Sequence, residues 1–407
     1  MSELQLLPIR IIPFDIGNEI DSRKFDKITS IIEKKSDWIV EQKTRNSKNE
    51  LFRFSVKGTE LYSISVSVYQ DGIGIISIRE KAILYENVND FKHFEIISKR
   101  KEFHKGVLTH NHQLTPVIND VIECLRILFT KNTRHTSLCS WENNGLSYVM
   151  SFFFITGNPD LINDTSFQDK ILALLFPHDY DQQIQYDIET LGKSSESIEK
   201  KFRDNYCNVI KSDFETLPHI FAYASWSNFL VFGNISEKNI ANYWEIEKDL
   251  QHIWFYTYIT DKFIEHSLSK LDAKIPEQRL EKLFNILTEM LYKINKYEGV
   301  ISSTLHERDF KLFEVLMKSS RLDLLISSVE KRAGLLKDRY TWIIEEKRIH
   351  SDKKVELILF VIAILSLISS FETFKKFGTT NSIILILSIF FIALLLFKSY
   401  IFHFKKK

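Results

Sequence analysis

Asp352, Glu356, Ser366, Ser370 and Thr373 lie at intervals of four, ten, four and three residues in a stretch dominated by Val, Leu, Ile and Phe. At about 100° of rotation per residue, a helix brings all five, with Ala363, onto one face. Polar groups on an apolar helix normally face a bundle interior or a water-filled path. If several copies surround an axis, Asp352 and Glu356 become acidic rings at one mouth of that path, which favours cations. A plainer reading also fits. Ser366 and Ser370 can be a small-residue packing contact between helices, with Glu356 reaching back to the water interface.

A second constellation combines Lys99, Arg100, Lys101, His104 and Lys105 with His110 and His112. The cations can cradle a polyanionic ligand such as a nucleotide, and the two closely spaced histidines can ligate a metal. A solvated basic helix end and loop accounts for the same letters. His110-Asn111-His112 does not make a nuclease, whose residues are dispersed over a ββα unit. Pro177–Asp181 offers a His-Asp pair without the partners a metal phosphohydrolase needs. The chain has no Walker sequence, no GxGxxG and no GxSxG, so no enzyme is indicated.

The 407 residues carry a net charge of +1, with 26% charged and 13% aromatic residues. This is the profile of an ordered chain, and it gives no bulk argument for direct nucleic-acid binding. Cys124, Cys139 and Cys207 match neither a zinc ribbon nor a disulfide framework, which suits a reducing compartment. The opening residues lack a basic leader and are interrupted by Pro8, Arg10 and Pro13, so no cleavable signal is expected and the N-terminus should stay in the cytoplasm.

The elements that must position the polar stripe are long helices. Residues 355–374 and 382–402 are each long and apolar enough to cross a bilayer. Lys347, Arg348, Lys353 and Lys354 precede the first, and Lys398, Lys405, Lys406 and Lys407 lie at the far end of the second. That bias puts both termini inside, with Lys375 and Lys376 in the outer turn. Upstream, apolar positions from Leu280 to Ile294 follow helical spacing up to Gly299, and Thr304 with Glu307 has capping-box spacing for a second helix. No proline follows Pro276, so that second helix is predicted to run from Leu305 to Phe374 as one rod. A rod with an apolar stripe needs neighbours, which predicts a homo-oligomer.

The N-terminal half alternates strand and helix patterns. Leu61–Ile78 reads as a hairpin about Gln70-Asp71-Gly72, Ser147–Gly157 as a buried strand, and His219–Asn234 as a strand or a hairpin. Residues 114–129 read as a helix and 191–201 as a loop. The predicted organisation is an α/β cytoplasmic domain over 1–235, a helical arm over 236–303, a stalk helix over 304–354 and membrane helices over 355–374 and 382–402. The last two flank an outer loop over 375–381 and precede a basic tail over 403–407.

This order of parts resembles the CorA family of magnesium channels. In that family an aromatic residue followed by Gly-Met-Asn stands at the outer end of the pore-lining helix. Here the corresponding residues are Phe377-Gly378-Thr379-Thr380-Asn381. Aromatic, glycine and asparagine are present, methionine is absent, one residue intervenes, and two lysines replace an acidic loop. The resemblance implies a pentameric funnel in the inner (plasma) membrane, a pore lined by the first membrane helix, and Phe377, Gly378 and Asn381 at the selectivity loop. It also implies Mg²⁺ or another divalent cation as the group handled. Two functions follow from it. One is a membrane effector whose soluble domain answers a nucleotide messenger, as in CorA-like proteins beside type III CRISPR systems. The other is a CorA-type magnesium transporter. The altered motif leans toward the effector.

Overall fold

The computed structural model describes residues 4–17, 19–21, 38–42, 50–59, 62–86, 150–175, 215–217, 219–225, 228–271, 276–304 and 307–374, with positions 30 and 123. Of the predicted helix over 114–129 only Glu123 is described, and it is helical; the loop over 191–201 and the second membrane segment over 382–402 lie outside the described residues.

Ten described strands form one sheet. They are β1 (Leu4–Asp15), β2 (Trp38–Gln42), β3 (Glu50–Thr59), β4 (Tyr62–Tyr69), β5 (Ile73–Glu80), β6 (Ile83–Tyr85), β7 (Met150–Thr156), β8 (Glu215–Leu217), β9 (Ile220–Ala224) and β10 (Asn228–Gly233). Their order is β2-β3-β4-β5-β1-β7-β10-β9-β8, with β6 pairing β1 alongside. Among the described pairings only β7 with β10 is parallel. The helices are α1 (Thr165–Leu175), α2 (Glu237–Lys270), α3 (Glu277–Thr304), α4 (Glu307–Ser319) and α5 (Leu322–Phe374). The chain is thus a mixed α/β fold with long helices, as the sequence pattern predicts.

Local chemistry explains the elements. The predicted hairpin forms as β4 and β5. Gly72 takes φ +82°, its N–H bonds Tyr69 O, and Asp71 Oδ1 accepts from the Ile73 N–H, the turn role expected of Asp-Gly. His219–Asn234 resolves to the hairpin of β9 and β10, and the apolar run before Gly157 is the buried strand β7. Asp164 caps α1 by accepting from the Ser166 N–H, and Ser236 caps α2 by accepting from the Asn239 N–H. Gly74 pairs with Phe14 on β1, and any Cβ there would run into the Phe14 ring.

Alternation along the strands separates two faces. On one, Leu4, Leu6, Phe153, Ile155, Leu230 and Phe232 pack with Phe167, Ile171, Leu172 and Leu175 of α1 as a closed apolar core. On the other, Ser65, Ser67 and Ser77 alternate with the apolar residues of β4 and β5 and are buried. Helix α2 packs against β1 and β5 and against α4.

The single rod predicted from Leu305 to Phe374 is instead two helices. Arg321 adopts φ +57°, and the hydroxyls of Ser319 and Ser320 bond the carbonyls of Leu316 and Met317. Two serines competing for the backbone and one left-handed residue end α4, and Asp323 in the first turn of α5 favours a fresh start. Gly299, read as a helix end, lies inside α3, which continues to Thr304. An interior glycine costs about 1 kcal/mol but does not itself stop a helix. By compactness the chain divides into Met1–Lys270 with Glu281–Leu336, and Leu271–Leu280 with Lys337–Lys407.

Candidate functional site

Two places concentrate polar chemistry, the buried layer under α2 and the distal end of α5. Under α2, strand register sets Ser55, Ser65 and Ser77 side by side across β3, β4 and β5. These short hydroxyls leave height above the sheet for long side chains of α2. Trp244 Nε1 donates to Ser77 Oγ at 3.2 Å.

Next to it four charged groups interlock. Arg53 Nε and Nη2 donate to the two Glu50 oxygens at 3.0 Å each, and Lys248 Nζ reaches Glu50 Oε2 at 3.3 Å. Arg53 and Lys248 both also pair with Glu245, at 2.8 and 2.9 Å. Two cations and two carboxylates balance. Burial by itself would raise the Glu50 carboxyl, but Lys248 and Arg53 outweigh it and hold it below the ordinary glutamate value. Burial works against the Arg53 charge, yet the bond to Glu50 and the charge of Glu245 keep it above its usual range.

Further along α2, His252 Nε2 lies 2.8 Å from Asp71 Oδ2, and both side chains are buried. The Tyr69 ring stacks on the imidazole at 3.9 Å and 11°, and Tyr297 of α3 closes the other approach at 5.0 Å. A histidine oriented by an aspartate is the makings of a general base. Here the ring is roofed by two tyrosines, so the pair ties the β4–β5 turn to α2 and α3. Burial pushes the Tyr69 phenol well above its usual value, and its hydroxyl has no hydrogen-bond partner among the described residues.

One turn before Gln251, Glu247 is fully buried and burial pushes its carboxyl up to about 8. Gln251 Nε2 donates to Oε1 at 2.7 Å, while Oε2 has no hydrogen-bond partner among the described residues. At neutral pH this is a neutral carboxylic acid. Of these residues only Asp71 is named from the sequence, and there as a turn residue rather than a site residue. The available signal was the segment Tyr243–His252, whose charges and amides recur on every side of a helix rather than on one.

At the other place, α5 carries Asp352, Glu356 and Ser366 on one continuous helix, all three exposed. Ser370 and Thr373 lie on the same helix face by spacing, and their side chains fall outside the described residues. Around the carboxylates Val355, Leu357, Ile358, Leu359, Val361, Ile362 and Ile364 are also exposed. Among the described residues no helix is long and apolar enough to cross a membrane, and the described side chains stop at Ser366, inside the apolar run that opens at Val355. Phe377, Gly378 and Asn381 lie outside the described residues, as do Lys99, Arg100, Lys101, His104, Lys105, His110 and His112. No group of three or more His, Cys, Asp or Glu able to hold a metal occurs among the described residues.

No family model matches the chain, no curated protein matches its sequence, and no solved structure matches its fold.

Proposed function

We propose that the chain is a subunit of an oligomeric, CorA-like membrane channel or membrane effector. A ligand bound to its cytoplasmic domain gates it, and the candidate ligand is a nucleotide second messenger of antiviral defence. The observation that carries this reading is the distal part of α5. From Val355 to Ile364 its apolar side chains are exposed around the helix apart from the half-buried Phe360, while Asp352 and Glu356 share one face. A helix that is apolar all round is stable in a protein core or in lipid, not in water. The lysines and arginines flanking residues 355–374 and 382–402 support a topology with both termini in the cytoplasm. The two carboxylates then stand at the inner mouth of a cation path, with Ser366, Ser370 and Thr373 along it and Phe377, Gly378 and Asn381 beyond.

The same acidic pair suits a second reading, a CorA-type divalent cation transporter. Full-length protein in liposomes separates the two, with potassium and magnesium flux followed with and without a panel of mono-, di- and cyclic oligonucleotides. The effector reading expects silence until one nucleotide class is added. Magnesium uptake without nucleotide establishes the transporter instead, and no flux with either overturns both.

A further inference from the structure

Charge on α5 is sorted by face as the helix nears its apolar run. At about 100° per residue, Asp338, Glu345, Asp352 and Glu356 fall within about 40° of one another. On the opposite face Lys347 and Lys354 stand one heptad apart with His350 between them, and no carboxylate shares that face. Glu346 lies on one flank in line with Lys353, and Lys337 and Arg348 lie on the other. Exposure along the basic face changes in step. Ile343 is fully buried, Lys347 is half-buried, and His350, Ser351 and Lys354 are exposed. The cover over this face therefore ends just where the exposed apolar run begins at Val355.

We infer that the Lys347–Lys354 face docks anionic phospholipid headgroups of the inner leaflet. This rests on the membrane reading above and names the lipid class that the reading leaves open. With the hydrocarbon starting at Val355, Lys354 stands at its edge and Lys347 about 12 Å further out. The headgroup layer is about 5–8 Å deep, and a long lysine stem leans back across the remaining distance. Basic residues just cytoplasmic of a membrane helix attract anionic lipid over zwitterionic lipid. A second copy is the other occupant that charge would allow, with its acidic face against this basic one. Those two faces lie half a turn apart on α5, and contacts through opposite faces extend copies into an open row rather than a ring. Such a row would also take Asp352 and Glu356 away from the cation path.

The test incubates full-length protein in detergent with mixed micelles holding equal amounts of phosphatidylglycerol and phosphatidylcholine. The protein is then re-isolated and its retained phospholipid counted by headgroup. The parent is expected to retain phosphatidylglycerol in excess. In Lys347→Gln with Lys354→Gln that excess should fall about fivefold for each lysine lost, with far-UV circular dichroism and particle mass unchanged. Lys347→Arg with Lys354→Arg should keep it. Lys282→Gln with Lys296→Gln removes the same charge from exposed positions of α3 and should leave the excess as in the parent. Equal retention of the two lipids by the parent, an undiminished excess without Lys347 and Lys354, or an equal drop in the α3 variant overturns the site while leaving the membrane reading standing. A lower particle mass without the two lysines overturns it in favour of a contact between copies. A parent that stays soluble without detergent and retains neither phospholipid removes the membrane reading as well.

Discussion

The layer beneath α2 and the distal end of α5 both set charge among apolar side chains, and they do so in opposite ways. Under α2 each carboxylate has a bonded neighbour. Glu50 and Glu245 face Arg53 and Lys248, Asp71 faces His252, and Glu247 holds the Gln251 amide. On α5, Asp352 and Glu356 stand exposed beside a belt of leucines, isoleucines and valines. The first region finds its charge partners within one chain. The second leaves its apolar side chains exposed, and that exposure is the reason function is proposed there.

Removing Lys248 should break the first region most severely. Lys248→Met leaves Glu50 buried with Arg53 alone, and loss of one partner of a buried pair costs about 3–5 kcal/mol. Thermal unfolding in detergent should fall accordingly. Asp352→Asn, which removes an exposed charge, should leave it within about 0.5 kcal/mol. Equal effects of the two variants would erase the contrast between the regions.

Glu247 offers a pH test of intermediate size. Folded, the carboxyl keeps its proton up to about 8, whereas in the unfolded chain it ionises near its ordinary value of 4.5. Between those values the native state binds one proton more, so stability falls by about 1.4 kcal/mol for each unit of rising pH. The contribution is fully present below the unfolded value and lost by the folded one. Glu247→Gln should flatten that slope and raise the unfolding temperature at pH 8, and an unchanged slope would contradict the assignment. Glu50 titrates in the other direction. Its lowered value adds stability above the ordinary glutamate range, which is lost as pH falls toward the folded value.

Ser77→Ala removes the acceptor of the Trp244 indole N–H and should cost about 1 kcal/mol. Tyr69→Phe removes a buried hydroxyl with no hydrogen-bond partner among the described residues and should be neutral or slightly stabilising in the same measurement. A large loss at Tyr69 would show that the hydroxyl is satisfied in the protein.

What the sequence disclosed was local. Asp71-Gly72 marked the β4–β5 turn, the Phe152–Ile155 run marked β7, and the apolar spacing from Leu280 to Ile294 marked α3, because each rests on neighbours within one or two turns of chain. The break before α5 was also local, in Ser319-Ser320 and Asp323. It was masked because the apolar positions on either side keep helical phase well enough to read as one pattern. The polar layer was not legible at all. Glu50 meets Lys248 and Asp71 meets His252 across 198 and 181 residues, and nothing in a single sequence pairs such distant groups. The site proposed for function rests on local spacing instead. The acidic and hydroxyl stripe is an expectation from spacing; the structure adds that α5 continues through it and that Asp352, Glu356 and Ser366 are exposed.

The most direct measurement is the sidedness of the helix ends in intact membranes. In a background with Cys124, Cys139 and Cys207 replaced by serine, Ser351→Cys and Gly378→Cys are treated with a membrane-impermeant maleimide from outside spheroplasts. Crossing of the bilayer by the segment after Val355 predicts labelling at 378 and protection at 351 until the membrane is broken. Protection of both, labelling of both, or recovery of the protein in the soluble fraction would contradict it.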